Sequence, residues 1–184
     1  MRILLANPYF LPYRGGIERR LDGQARELAR QGHEVAVLCA RLPGTSARQR
    51  DDGYEILRCP SFVWSSFPYN PAPLLSRRVL ETAASFSPDV VDFHYRWAPD
   101  WTRAMRRASA RVPLVVTWHN VFGEGSGVLG RVSRANDRRY LRFARSHARA
   151  IACVSEHVRR ELADEGAPAS QLVTLPMLGV DGPP

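Results

Sequence analysis

The chain alternates between short apolar runs and segments of helical periodicity, and this alternation constrains the fold more than any other feature. Residues 2–6 form the first apolar run, which stops at Asn7-Pro8 and is typical of a buried strand that ends in a turn. After a loop, Leu21, Ala25 and Leu28 recur on one face of an amphipathic helix. The chain is therefore predicted to open with a strand, a loop and a helix.

The same alternation continues to residue 175. It predicts an α/β fold, with a Rossmann-like, doubly wound parallel sheet and helices on both faces. Residues 41–52 are predicted to form a loop, residues 61–73 to pack on the domain edge or line a cleft, and residues 123–127 to form a flexible loop. The remaining predicted strands span residues 34–39, 54–58, 89–93, 113–118, 149–154 and 173–175, and the helices span residues 17–32, 74–83, 99–110, 127–147 and 156–166.

Parallel strands joined by right-handed crossovers place their carboxyl ends at one edge of the sheet, where ligands of such folds bind. The Gly15-Gly16 pair, His94 and His119 each follow a predicted strand and should meet at this edge. Adjacent glycines let a ligand approach the backbone, and the N-terminus of the next helix favours an anion such as a phosphate. This edge is the predicted ligand site, although a glycine pair alone also fits an ordinary turn.

Composition adds limits to the possible partners. The chain has 184 residues and a formal net charge of +8, and all 26 of its basic residues are Arg. The absence of Lys points to codon bias, and the basic excess permits an anionic partner without identifying one. The apolar runs are too short to span a bilayer, the first residues lack the pattern of a secretory signal, and CxxC, HxH and HExxH spacings are absent. We therefore expect a cytoplasmic protein without a metal or another cofactor.

The predicted helix over residues 127–147 carries five arginines at spacings of three, four, four and three residues, which keep them on one face. Two interpretations remain open: a solvated face, or a surface attracted to the anionic inner face of the cell membrane, where the protein would be peripheral. Nucleic-acid binding is not predicted, because no aromatic residues are interleaved with the stripe. We name the stripe the arginine ridge; it comprises Arg131, Arg134, Arg138, Arg142 and Arg145, and Leu129, Val132, Tyr140, Phe143 and Ala144 are predicted to lie opposite it.

Several short motifs follow one another in an order that covers essentially the whole chain. Residues 7–12 read Asn-Pro-Tyr-Phe-Leu-Pro and precede Gly15-Gly16-Ile17-Glu18, and residues 117–120 read Thr-Trp-His-Asn. The other motifs lie at residues 28–37, 154–156, 159–162, 173–176 and 179–181. The ordered set resembles the N-terminal domain of family 4 glycosyltransferases of the GT-B fold.

The resemblance implies one half of an enzyme. Residues 1–175 would form the acceptor-side domain, and residues 176–184 an exit linker toward a C-terminal donor domain, although Met177-Leu178 departs from the usual linker pattern. The pair of glutamates expected in the donor domain is absent from this chain, so the chain alone is expected to be inactive. The complete enzyme would move a sugar from a nucleotide-sugar to a sugar or lipid-linked acceptor, retaining the anomeric configuration and generally without a metal.

The resemblance also implies roles for individual residues. Gly15 and Gly16 match the loop that meets the donor diphosphate, and Glu18 matches the acid in the first turn of the next helix. His119 matches a histidine that faces the transferred sugar and is the predicted catalytic residue. Further candidates for acceptor contact, with plain packing as the competing interpretation, are Glu18, Tyr13, His94, Tyr95, Trp97 and Asn120.

Two other functions are alternatives to a glycosyltransferase domain. The chain could be a non-catalytic half-protein that binds an acceptor or a membrane while a separate polypeptide supplies the donor domain. A dinucleotide-binding oxidoreductase is disfavoured, because about ten residues separate Ala6 from the first helix, whereas such enzymes use a short glycine turn. Asp89 and Asp92 lack a partner acid and receive no catalytic role. The sequence identifies neither the donor sugar nor the acceptor.

Overall fold

The computed structural model describes residues 1–64, 70–72 and 76–175. Its strands are β1 (Arg2–Ala6), β2 (Glu34–Ala40), β3 (Arg48–Asp51), β4 (Tyr54–Cys59), β5 (Phe62–Trp64), β6 (Asn70–Ala72), β7 (Val90–Phe93), β8 (Leu114–Trp118), β9 (Ala150–Cys153) and β10 (Leu172–Thr174). Its α-helices are α1 (Gly16–Arg30), α2 (Ser76–Ala84), α3 (Pro99–Ala108), α4 (Gly127–His147) and α5 (Glu156–Asp164).

Eight of the strands form one sheet in the order β10-β9-β8-β7-β1-β2-β4-β3. Every pairing in it is parallel except that of β3 with β4. The direction in which successive strands are added reverses at β1, which lies between β2 and β7. The crevice beside the carboxyl ends of β1 and β7 is therefore the topological switch point, where ligands of such sheets bind. The predicted Rossmann-like sheet is confirmed.

Both faces of the sheet are covered by helices, as predicted. On one face, Leu21 and Ala25 of α1 pack against Val37 of β2 and Ile56 of β4. On the other face, a larger core joins the sheet to α2, α3, α4 and α5, with the fully buried Trp101 of α3 among its members. Apolar periodicity explains this packing, because each helix buries the stripe of small and aliphatic residues that its sequence places on one side.

The prediction of a loop over residues 41–52 is wrong in its second half, where β3 pairs with β4 in an antiparallel hairpin. The strand lacks the apolar pattern that predicts a buried strand, because its four residues are polar and mostly exposed at the edge of the sheet. Asp52 and Gly53 both have positive φ and form the two-residue turn of the hairpin. The buried Arg58 of β4 holds the hairpin by donating to Gln49 Oε1 and to the carbonyl oxygen of Ser46.

Two other predictions concern regions that the structure describes only in part. Within the aromatic-rich connection, β5 and β6 pair as a separate two-stranded sheet, and the residues between them lie outside the described part of the chain. The predicted exit linker, residues 176–184, also lies outside it, as do the first residues of the helix predicted from residue 74.

Candidate functional site

A cavity of about 220 Å³ opens at the switch point. The segment after β7 contributes His94, Tyr95 and Trp97 to its lining, and the end of β8 contributes His119 and Asn120. Five residues that the sequence singled out therefore share one cavity. No site role was predicted for its other lining residues: Ile17, Arg96, Thr117, Trp118, Glu124 and Tyr140.

A larger hollow of about 700 Å³ lies elsewhere, between the loops that follow β2 and β4. Its lining contains no histidine and no carboxylate, and none of the predicted site residues. Chemistry and topology, rather than size, therefore favour the smaller cavity as the functional site. Among the described residues, no group of three His, Cys, Asp or Glu side chains is placed to hold a metal ion.

Three side chains form a line of contacts from the sheet to the cavity. The buried Asp92 of β7 accepts a hydrogen bond from Thr117 Oγ1 over 2.7 Å, and its Oδ2 lies 3.1 Å from Nε2 of His94. Nδ1 of His94 in turn lies 2.9 Å from Nε2 of His119. No catalytic role was predicted for Asp92, and its carboxylate does not line the cavity but lies beside the first of two connected histidines.

The positions of the hydrogens follow from these contacts. A carboxylate beside His94 Nε2 keeps a proton on that nitrogen, so in neutral His94 the other nitrogen is an acceptor. The hydrogen between the rings then belongs to His119 Nε2, which leaves Nδ1 of His119 as an acceptor. Burial, reinforced by His94 and Arg20, lowers the pKa of His119 to about 3. His119 is therefore a neutral hydrogen-bonding group at pH 7.

The Gly15-Gly16 pair lies at the N-terminus of α1, as predicted, and its two members differ in their surroundings. A Cβ on Gly15 would overlap Oε2 of Glu18, whereas a Cβ on Gly16 would have no neighbour within 4 Å. Neither glycine has a positive φ, so backbone conformation does not explain the pair. A side chain at position 15 would force the Glu18 carboxylate to move, while the space beside Gly16 is open to a ligand.

Glu18 and Tyr13 do not line the cavity. The buried Glu18 carboxylate accepts a hydrogen bond from Asn7 Nδ2 over 3.3 Å and, because it is the third residue of α1, can bond back to the N–H of Gly15 as in a capping box. Burial raises the pKa of Glu18, and these hydrogen bonds oppose that rise. Tyr13 packs 5.7 Å from the ring of Tyr9. Both residues pack against Gly15 instead of facing the cavity.

Arg96 connects the cavity to the loop before α4. Its Nε lies 3.1 Å from Oδ1 of Asp137, and both side chains are almost fully buried. Asp137 Oδ2 also accepts a hydrogen bond from the backbone N–H of Gly123 over 2.8 Å. Glu124 Oε2 accepts from Arg96 Nη2 and from Asn120 Nδ2, each over 3.3 Å. The loop predicted to be flexible is thus anchored at its start to a buried ion pair.

All five arginines of the arginine ridge are exposed on α4. Two of them are partly neutralised, since Arg134 and Arg138 lie 3.9 Å and 3.3 Å from the carboxylate of Glu165, which follows α5. No helix in the described part of the chain is both long and apolar enough to cross a membrane.

The packed face of α4 differs from the prediction in its first turns. Tyr140, Phe143 and Ala144 are buried, but Leu129 and Val132 are 78% and 53% exposed. The helix docks here through Gly130, where a Cβ would lie 2.6 Å from the carbonyl oxygen of Gly125. This close approach, together with the buried Asp137, turns the apolar residues of the first turns toward solvent.

Comparison with known proteins places this geometry in a family. The sequence profile of Glycosyltransferase Family 4 matches residues 14–181, which include every candidate site residue except Tyr13. The chain belongs to glycosyltransferase family 4. No curated protein matches it.

Solved structures resemble this family 4 domain in fold. The HepE protein of Anabaena, solved in complex with UDP and glucose, has a TM-score of 0.62 at 14% identity, with 96% of this chain and 44% of that one covered. Sucrose-phosphate synthase of Thermosynechococcus elongatus has a TM-score of 0.70 at 15% identity, with 95% and 47% covered. The chain spans less than half the length of these proteins and has the Rossmann-like fold of the N-terminal domain of a GT-B glycosyltransferase.

The fold alone does not specify the reaction. UDP-N-acetylglucosamine 2-epimerase of Rickettsia bellii also resembles the family 4 domain, with a TM-score of 0.56 at 15% identity and coverage of 95% of this chain and 44% of that one. The family match therefore identifies a glycosyltransferase domain, and the details of its chemistry depend on the residues of the cavity.

Proposed function

We propose that this chain is the acceptor-binding half of a retaining glycosyltransferase that transfers a sugar from a nucleotide-sugar to a sugar or lipid-linked acceptor. The observation that carries the proposal is the position of His119: a neutral, hydrogen-bonded histidine at a cavity that the first turn of α1 borders through Ile17. A neutral imidazole suits the recognition of sugar hydroxyls. The complex of HepE with UDP and glucose, in a similar fold, supports the same class of substrate.

Within this proposal the described residues act on two substrates. His119 accepts a hydrogen bond from a hydroxyl of the transferred sugar, and Tyr95, Trp97 and Asn120 contact the acceptor. Gly16 lets the donor diphosphate approach the free N–H groups at the start of α1. The bond from the anomeric carbon to the diphosphate breaks, the acceptor oxygen bonds to the same face of that carbon, and the proton of the acceptor hydroxyl passes to the departing diphosphate oxygen. The proposal involves no metal ion or other cofactor.

The isolated 184-residue chain is expected to transfer no sugar. Stabilisation of developing charge is usually the largest contribution to catalysis, and the proposed partner domain supplies much of it for the leaving diphosphate. The measurement is release of labelled sugar from UDP-glucose and other nucleotide-sugars, with and without a polypeptide that carries a family 4 donor domain. Turnover by the chain alone at about 1 s⁻¹ or faster, within the ordinary range of enzymes, contradicts the proposal.

We further propose that the domain is cytoplasmic and associates with anionic membranes through the arginine ridge. Exposed apolar residues lie beside the ridge at the start of α4, at Val128, Leu129 and Val132. Basic residues next to exposed apolar side chains are typical of surfaces that bind the membrane interface.

Vesicle binding tests this association. Co-sedimentation with phosphatidylglycerol vesicles is expected to fall in Arg131→Glu/Arg145→Glu, because this variant reverses the charge of two ridge arginines that pair with no carboxylate in the described part of the chain. It should weaken with salt, as the Debye length shortens from about 10 Å at 0.1 M to about 3 Å at 1 M. Arg50→Glu/Arg111→Glu makes the same charge change at exposed positions outside α4. Equal loss in both variants would mean that net charge, and not the ridge, binds the vesicles.

A further inference from the structure

A second groove, of about 480 Å³, runs between α3 and α4. Five guanidinium groups line it: Arg103 and Arg106 from α3, Arg139 and Arg142 from α4, and Arg96 at one end. None of its lining residues is acidic. The four helix arginines are exposed, so their charged groups are accessible to a ligand from solvent.

The charges in this groove are largely uncompensated. Among the described residues, no carboxylate pairs with Arg106, Arg139 or Arg142, and Arg103 comes only within 3.9 Å of Asp100. Arg96 is the exception, because it contacts buried Asp137. Four positive groups therefore face one another across two helices with little neutralisation, and the repulsion between them favours a bound anion.

Codon bias explains why the basic residues are arginines but does not explain this distribution. Elsewhere the helices pair many of their arginines with acids one turn away. Arg30 lies 2.7 Å from Glu27 in α1, and Arg159 lies 2.5 Å from Glu156 in α5. The groove between α3 and α4 concentrates guanidinium groups and leaves acids out, which distinguishes it from α2 and α5, whose arginines all lie within 4 Å of an acid.

We propose that this groove binds a ligand with two adjacent phosphate groups. Guanidinium groups match phosphate oxygens in a bidentate manner, and several arginines suit the two or more negative charges of a diphosphate. Ser146 and Asn136 add neutral donors within the same groove, since Asn136 has a second amide hydrogen besides the one that it donates to the carbonyl oxygen of Arg96. A diphosphate on a lipid headgroup and a soluble diphosphate share this chemistry.

The groove is distinct from the cavity at His119 but borders it, because Arg96 and Tyr140 contribute to the lining of both. Binding of phosphate here is independent of sugar transfer and of the arginine ridge, with which the groove shares only Arg142. The inference can therefore fail while the proposed function holds, and the reverse is also true.

Calorimetric titration of the chain with inorganic pyrophosphate tests the proposal. The dissociation constant is expected to rise about tenfold or more in Arg139→Gln/Arg142→Gln, because two charge-assisted contacts are lost. Arg131→Gln/Arg145→Gln removes the same charge from the same helix, outside the groove, and should bind pyrophosphate as the wild type does. Arg106→Gln on α3 should also weaken binding. Unfolding curves of all variants confirm that each is folded.

A second arm identifies the source of the phosphate. Vesicles of phosphatidylcholine containing phosphatidic acid are mixed with the wild type and with both double variants, with and without pyrophosphate. Displacement of the wild type and of Arg131→Gln/Arg145→Gln from the vesicles by pyrophosphate, with no such displacement of Arg139→Gln/Arg142→Gln, supports a lipid headgroup, whatever the ridge adds to vesicle binding. Pyrophosphate binding that depends on the groove, with vesicle binding that does not, supports a soluble diphosphate. Absence of pyrophosphate binding by the wild type, or equal affinities in the two double variants, overturns the proposal.

Discussion

Replacement of Gly16 by valine, in an enzyme that contains both Rossmann-like domains, is expected to lower the rate of sugar transfer by about a hundredfold or more. Apart from the adjacent backbone of α1, no described part of the chain lies within 4 Å of the position that a Cβ would take on Gly16, so the added side chain occupies the space through which the donor diphosphate would approach α1. The same open space means that the fold tolerates the change. We expect the free energy of unfolding to fall by no more than about 1 kcal/mol, the order of helix-propensity differences.

Gly23→Val is the matched control for this experiment. Gly23 lies in the same helix, is exposed, and also has no neighbour within 4 Å of an added Cβ. The control should retain transfer near the wild-type rate, while Gly16→Val loses it with a melting temperature within about 4 °C of the wild type. If both variants transfer sugar equally well, Gly15-Gly16 is an ordinary helix start and the assignment of the diphosphate site to it is wrong.

The free energy of unfolding of the chain is expected to fall as the pH is lowered from about 6.5 toward 3, because of His119. The folded state holds this histidine neutral down to about pH 3, while the unfolded chain takes up a proton near pH 6.5. The unfolded state therefore binds more protons across this window, so stability rises with pH within it and is lost on acidification. A single group contributes a slope of at most about 1.4 kcal/mol per pH unit.

Urea unfolding at a series of pH values measures this slope. His119→Gln removes the titrating ring and should flatten the curve between about pH 3 and 6.5, whatever it does to the stability at neutral pH. Asn120→Ala changes another residue of the same cavity without removing a titrating group, so this control should leave the slope as it is in the wild type. An unchanged slope in His119→Gln would mean that the ring protonates as readily in the folded state as in the unfolded chain.

The sequence predicted most of the sheet because its central strands are apolar and end at turns, as residues 2–6 do. It did not predict β3, which has no apolar residue to bury. The turn formed by Asp52 and Gly53 was a usable signal, since an Asp-Gly pair favours a two-residue hairpin. The anchoring role of Arg58 could not be predicted, because it depends on contacts with residues that lie nine or more positions away along the chain.

In the candidate site, strand-end placement was enough to bring His94 and His119 to one cavity. The contact between their rings depends on the register of β7 against β8, where Phe93 pairs with Val116, and a sequence pattern does not fix that register. A role for Asp92 was not predicted because no second acid lies near it in the sequence. Its partner is instead a histidine two residues later. The exposure of Leu129 was also not predicted, because apolar periodicity does not reveal which neighbours a helix contacts.

The hydrogen bond between His94 and His119 also couples the tautomers of the two rings. Only one hydrogen can lie between His94 Nδ1 and His119 Nε2, so one ring donates and the other accepts. Asp92 sets this direction from the far side of His94, because its carboxylate can only accept. Whether His119 offers a ligand an acceptor or a donor is therefore decided by a carboxylate that does not line the cavity.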